Sequence, residues 1–166
     1  MTAPFIIEAL SSLHDRKGFA SGSEALDRYF HQQVTQDMRR HVTACYVAIE
    51  AATAKIAGYY TLAAAGVSLA DMPAEIVKRL PRYPSVPVAR MGRLAVDQTY
   101  RGQKLGAALL WDGAMRALRS EVAIFALVVD AKDDQAEAFY HHHGFVTFGS
   151  LSRQLILPLT NLSAKS

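Results

Sequence analysis

The run from Val122 to Asp130, Val-Ala-Ile-Phe-Ala-Leu-Val-Val-Asp, constrains this chain more than any other segment. An amphipathic helix or a half-solvated strand would interleave polar residues, and this run has none before its final aspartate. It reads as a strand buried on both faces, which must be covered by other elements on either side. The rest of the chain supplies them. Residues 5–10, 44–49, 55–69, 88–96, 145–148 and 153–159 read as further strands. Ser21 and Glu24 have the capping-box spacing, ahead of a helix carrying Leu26, Tyr29 and Phe30 on one face and running to about Arg39. Residues 67–87 form an insertion with its own short helix near 74–80, bounded by Pro73, Pro81, Pro84 and Pro87. Ala108, Trp111, Met115 and Leu118 recur at helical spacing after Leu105, and Ala136, Phe139 and Tyr140 do so ahead of Gly144. The expected architecture is a mixed α/β sheet, and no linker divides the chain, so residues 1–166 read as a single domain.

With 51% hydrophobic residues, 166 residues can bury a substantial core, which excludes a disordered or repeat architecture. No run approaches the roughly 20 apolar residues of a membrane span, and no signal-like N-terminus is visible. The single cysteine, Cys45, cannot make an internal disulfide, which favours a reducing, cytoplasmic setting; its apolar surroundings make it a core residue. His141, His142 and His143 are consecutive, about 100° apart on a helix, so they cannot converge on one ion and no metal site is expected.

Charge is unevenly placed. Lys78, Arg79, Arg82, Arg90, Arg93, Arg101 and Lys104 fall within a stretch whose only carboxylate is Asp97. Such an excess attracts polyanions, although a solvated basic face has the same composition.

The strand end Leu94-Ala95-Val96-Asp97 leads through Tyr100-Arg101-Gly102-Gln103-Lys104-Leu105-Gly106-Ala107 into a helix. Free amide groups and the positive end of the helix dipole converge at such a turn, and a glycine lets backbone approach an anion closely. Arg101 and Lys104 add charge. The spacing matches neither a dinucleotide fingerprint nor a P-loop.

This segment resembles the cofactor motif of the GNAT acetyltransferases, Gln/Arg-x-x-Gly-x-Gly/Ala, here Arg101-x-x-Lys104-x-Gly106, with Lys104 where the family usually has its first glycine. A second match is Asp133-x-x-Ala136-x-x-Phe139-Tyr140-x-x-x-Gly144-Phe145, with Asp133 where the family usually has asparagine. The resemblance implies the GNAT fold: a mostly antiparallel sheet of six to seven strands, flanked by about four helices and splayed at the acetyl-CoA site. It implies that Arg101, Gly102, Gln103, Lys104, Leu105, Gly106 and Ala107 hold the pyrophosphate of acetyl-CoA. The main chain of Leu94, Ala95 and Val96 would pair with the pantetheine arm like an added strand. It also implies that Tyr140 is the acid that reprotonates the departing thiolate; a phenol of pKa about 10 carries its proton at neutral pH.

No general base stands out. Residues 88–96 carry Arg90 and Arg93 but no carboxylate. A lysine acceptor, with pKa about 10.4, would benefit from a base, whereas an α-amine of pKa about 8 needs far less help. Arginines beside the donor would also suit an anionic carrier.

Residues 19–22 leading into 26–30, the segment Gly58-Tyr59-Tyr60-Thr61-Leu62, the proline-bounded insertion and Gly92-Arg93-Leu94-Ala95-Val96-Asp97 are similar to the GNAT toxins of bacterial toxin–antitoxin modules, the TacT and AtaT type. That resemblance implies acetylation of the α-amine of aminoacyl-tRNA, which blocks translation. It implies a homodimer, a ribbon-helix-helix antitoxin and, through that antitoxin, operator DNA. Lys78, Arg79, Arg82, Arg90 and Arg93 are then the candidate tRNA-facing residues. The alternatives are an acetyltransferase of a small-molecule or protein amine, and a protein acting mainly as a co-repressor with its antitoxin.

Overall fold

The computed structural model describes residues 4–163. Eight strands and a set of mostly short helices form a mixed, mostly antiparallel α/β fold, with one parallel strand pair. The chain divides into two compact units.

The first unit runs to Ala63 and includes Gly92–Gly113. Strand β1 (Phe5–Ala9) pairs antiparallel with β2 (Ala44–Glu50), and β2 with the first half of β3 (Ile56–Ser68). The helical stretch between β1 and β2 is one continuous coil in three parts. It starts as α1 (Glu24–Arg28), widens to a π-helical turn (Tyr29–Gln33) and tightens again to α2 (Val34–Arg39). The wide turn carries Tyr29 and Phe30 into the core, where Phe30 stacks on Tyr59 at 4.3 Å and 12°. Ser23, not Ser21, caps this helix, its hydroxyl accepting from the amide of Leu26. Ser21 is drawn aside because its hydroxyl donates to Asp27 at 2.6 Å.

Residues 88–96, expected as one strand, are two. Strand β4 (Ser85–Met91) ends before Gly92, and β5 (Leu94–Val96) begins after Arg93. Both lie against β3, but β4 also lies parallel to β6 (Ala126–Asp130), whereas β5 runs antiparallel to β3 alone, Tyr59 facing Ala95. Helix α4 (Leu105–Leu118) follows, and its Leu109 side chain would lie 2.8 Å from a Cβ at Gly58. Glycine at that position lets β3, β5 and α4 approach one another, since the same Cβ would lie 2.9 Å from the Ala95 carbonyl oxygen.

The second unit holds Ala64–Met91 and the chain from Ala114 onward. Here β6 lies between β4 and β8 (Gln154–Pro158), and β8 also pairs with β7 (Val146–Thr147). Ala126, Leu127, Val128 and Val129 are fully buried, as the two-faced reading requires. The strand is shorter than the apolar run, however. Residues 122–125 precede it, Val122 is exposed, and Phe125 sits at its edge, its amide donating to the Pro87 carbonyl and its carbonyl accepting from the Leu159 amide. The insertion keeps one turn of helix, α3 (Ala74–Val77), and α5 (Asp134–His142) carries Tyr140. The chain reverses after α5 through Gly144 at φ +95°, a left-handed conformation that favours glycine. Residues 160–163 form a last turn, α6 (Thr160–Ser163). No helix among the described residues is long and apolar enough to cross a membrane.

Candidate active site

The turn after β5 is anchored from below. Asp97 is 7% exposed and accepts from the Ala20 amide at 2.9 Å, the Thr99 amide at 2.9 Å and the Thr99 hydroxyl at 2.7 Å. Burial alone would raise its pKa, but these hydrogen bonds and the Lys55 charge outweigh it and hold the carboxyl below its ordinary value. Arg101 reaches back in the same direction, its Nη2 donating to the Ser21 carbonyl at 2.6 Å. Its guanidinium is therefore a strut between the turn and residues 20–22, in place of the freely projecting charge expected from sequence.

Above the strut the backbone opens. Gly102 has φ +81° and open space where a Cβ would stand, and Lys104 has φ +60°. The position where the family usually has glycine thus keeps the left-handed backbone with lysine in it, at a steric cost of about 1 kcal/mol. Helix α4 begins at Leu105, whose side chain is buried, while Gln103 and Lys104 remain exposed. The amides of the first helical turn have no intrahelical acceptor and carry the positive end of the dipole.

Among the described residues β5 pairs with one strand only, β3. The Thr61 amide donates to the Arg93 carbonyl and the Asp97 amide to the Ala57 carbonyl. Antiparallel alternation then turns the backbone groups of Ala95 toward Tyr59, and those of Leu94 and Val96 toward the opposite edge. An extended amide-bearing chain can pair with that edge at Leu94 and Val96, and its phosphate end can meet the open turn at 102–106. The arrangement fits acetyl-CoA.

Tyr140 sits near the end of α5. Asp133 caps the helix by accepting from the Ala136 amide at 2.8 Å, which is the role of the residue standing in for asparagine. The Tyr140 ring packs on Phe139 and Phe145 at 5.3 and 5.5 Å, and the residue is 6% exposed. Burial, and then the negative charge of Asp130, push its phenol up to about 12, so it holds its proton throughout the physiological range.

The candidate tRNA-facing residues divide. Lys78, Arg79 and Arg82 are exposed beside α3, Lys78 loosely paired with Glu75 at 3.4 Å. Arg90 is not unaccompanied: its Nη1 lies 2.5 Å from Oδ2 of Asp130, at the end of β6. The carboxylate that residues 88–96 lack is supplied by the neighbouring strand, which weakens the inference of an anionic carrier from unpaired arginines. Arg93 stacks its guanidinium carbon 3.4 Å from the centroid of the Tyr29 ring, and the Tyr29 hydroxyl donates to Asp37 at 2.8 Å. Arg93 serves the packing of the first unit. Asp130 escaped sequence reading because an aspartate closing an apolar run looks like an ordinary strand end. In the histidine run, His141 lies 3.1 Å from the Phe145 carbonyl oxygen, and no group of three or more His, Cys, Asp or Glu that could hold a metal ion is found among the described residues.

The family model described as Acetyltransferase (GNAT) family matches residues 7–145, spanning β1 to the end of the Tyr140 motif. The chain belongs to the GNAT acetyltransferase family. Among curated relatives it is 32% identical, over 82% of its own length and 81% of the other's, to the tRNA-acetylating toxin of Mycobacterium tuberculosis. A solved structure of AtaT complexed with acetyl-methionyl-tRNAfMet is 26% identical, with a TM-score of 0.87 and coverage of 98% and 99%. An AtaT mutant toxin bound to the C-terminus of the antitoxin AtaR is 25% identical, with a TM-score of 0.78 and 97% coverage of both chains. The likeness therefore extends over nearly the whole GNAT chain, not the two motifs alone.

Proposed function

We propose that this GNAT protein is a toxin that transfers acetyl from acetyl-CoA to the α-amino group of aminoacyl-tRNA, blocking translation until a cognate antitoxin neutralises it. The observation that carries the reading is full-length similarity to tRNA-acetylating toxins, joined to a donor turn and a buried tyrosine of the required kinds.

Acetyl-CoA supplies the acetyl group as a thioester. The open edge of β5 at Leu94 and Val96 binds its pantetheine amides, and the turn from Gly102 to Ala107 binds the pyrophosphate through backbone N–H groups, with Arg101 holding that turn in place. The acceptor's neutral amine attacks the carbonyl carbon, a C–N bond forms and the C–S bond breaks. Tyr140 gives its proton to the departing sulfur. The surplus proton of the new amide nitrogen leaves to solvent, from which Tyr140 is reprotonated. A phenol held near 12 is a proton store and not a strong acid, so it acts only as sulfur becomes a thiolate.

Lys78, Arg79 and Arg82 meet the tRNA backbone and Arg90 acts closer to the acceptor end, while Arg93 contributes through its packing on Tyr29. The protein works as a homodimer in the cytoplasm, and the antitoxin is of the ribbon-helix-helix type, bringing the pair to operator DNA. Incubating the purified protein with charged tRNA and acetyl-CoA tests the enzymatic core of the reading. It expects N-acetyl-aminoacyl-tRNA by mass spectrometry, and absence of that product while acetyl-CoA still binds overturns it.

A further inference from the structure

The Arg90–Asp130 pair stands apart from the other ion pairs of the second unit because of what surrounds it. Asp130 closes β6 three residues before Asp133, the cap of the helix that carries Tyr140. The Arg90 and Asp130 side chains are 31% and 48% exposed, so the pair is open to solvent and adds little to stability. Arg90 occupies Oδ2, and among the described residues no other donor reaches the carboxylate. The Asp130 side chain is about half exposed, and after burial its charge is the second influence that raises the Tyr140 phenol. The other charged groups near this strand end are committed elsewhere: Arg153 on Asp134 at 2.6 Å and on the Lys132 carbonyl, and Asp133 on its own helix. Lys132 projects into solvent.

We propose that Asp130 receives the α-ammonium group of the acceptor on the carboxylate oxygen that Arg90 leaves open, and so selects an amine and places its nitrogen beside Tyr140. The proposal rests on the aminoacyl acceptor proposed above. An α-amine of pKa about 8 arrives mostly protonated at neutral pH. A carboxylate attracts that form, a neutral carboxamide does not, and once the ammonium releases its proton to solvent the nitrogen is already in position. Arg90 has a complementary task. It orients the carboxylate from one side and leaves a cation at the strand edge for the acceptor's phosphate.

The test compares wild type with Asp130→Asn, Asp130→Glu and Arg90→Ala, using bulk charged tRNA and, in parallel, an aminoacyl-adenosine ester that carries the same amine without the tRNA body. For Asp130→Asn, kcat/KM for either acceptor should fall about 10- to 100-fold at pH 6.5, the range of a lost charge-assisted hydrogen bond, and only about threefold at pH 9. Asp130→Glu should recover most of the loss. Arg90→Ala should lose affinity for charged tRNA by the same factor at both pH values. An Asp130→Asn loss that does not change with pH, or an Arg90→Ala variant that copies the pH-dependent loss, overturns the proposal, because either would make the pair a structural tie. If wild type acetylates the adenosine ester and not charged tRNA, the tRNA reading fails while the Asp130 test still runs. Inactivity on both acceptors removes both.

Discussion

Arg101 donates to the carbonyl oxygen of Ser21 at 2.6 Å across 80 residues of sequence, so the donor turn is held by its own most conspicuous cation. Arg101→Ala should weaken acetyl-CoA binding by about tenfold or more, the scale of a lost charge-assisted hydrogen bond, through loosening of the turn. Arg101→Lys should recover only part, because an ammonium lacks the guanidinium's reach and planarity. Gly22→Ala should do similar damage: its Cβ would lie 2.9 Å from Nη2 of Arg101 and 2.5 Å from Nε2 of Gln98, at φ +94°. Isothermal titration with acetyl-CoA measures all three.

Lys104 poses a cleaner question, because its backbone is left-handed and its side chain is exposed. Lys104→Gly should stabilise the fold by up to about 1 kcal/mol, relief of the left-handed strain exceeding the entropy cost of glycine. Acetyl-CoA affinity should then stay within about threefold of wild type, as expected for a contact made by backbone amides. Lys104→Ala removes the charge and keeps the strain, so thermal melting and titration of the two variants separate the effects.

Tyr140→Phe keeps the ring packing on Phe139 and Phe145 and removes only the hydroxyl. We expect kcat to fall about 10²- to 10⁴-fold, the usual weight of general acid catalysis, with acetyl-CoA binding unchanged. In the wild-type enzyme no alkaline limb should arise from Tyr140 through pH 10, since its phenol is pushed up to about 12. Single-turnover rates across pH check both statements.

Stability should decline on the alkaline side. Burial raises the Tyr29, Tyr59 and Tyr140 phenols above their ordinary value of 10.0, with the Asp37 hydrogen bond adding to the shift at Tyr29. The unfolded chain ionises them first. Their contribution is complete below pH 10 and is lost as pH rises from there through the folded-state values. Denaturant midpoints should therefore hold between pH 7 and pH 9 and drop above pH 10.

Gly58 separates packing from chemistry, since it lies on β3 and touches no reacting group. Gly58→Ala places a methyl group 2.8 Å from Leu109 and 2.9 Å from the Ala95 carbonyl oxygen. The cost should be about 1–3 kcal/mol, as for other overpacked cores, read as a lower denaturant midpoint. Acetyl-CoA affinity should fall with it, because β5 is one of the elements displaced.

Much of the fold was legible because its signals are local. The spacing of Ala108, Trp111, Met115 and Leu118 marked α4, and that of Ala136, Phe139 and Tyr140 marked α5; both helices lie where that periodicity ends. Other boundaries were misread where two local rules compete. Ser21 fits a capping box, yet Asp27 takes its hydroxyl and Ser23 does the capping. Residues 88–96 are apolar enough for one strand, yet that strand is interrupted at Gly92 and Arg93, and only the part before the break also pairs with β6, which no local pattern encodes.

The amino-acid sequence by itself determined the family and pointed to the proposed donor turn and to Tyr140 as the proposed acid, because each is written in residues no more than a few turns apart. Only the tertiary structure decided what the charged groups do. Arg101 became a strut, Arg93 a lid on Tyr29, and Arg90 the partner of Asp130 40 residues away. Charges find partners through strand register and helix docking, and those bring together residues whose separation along the chain carries no periodic signal.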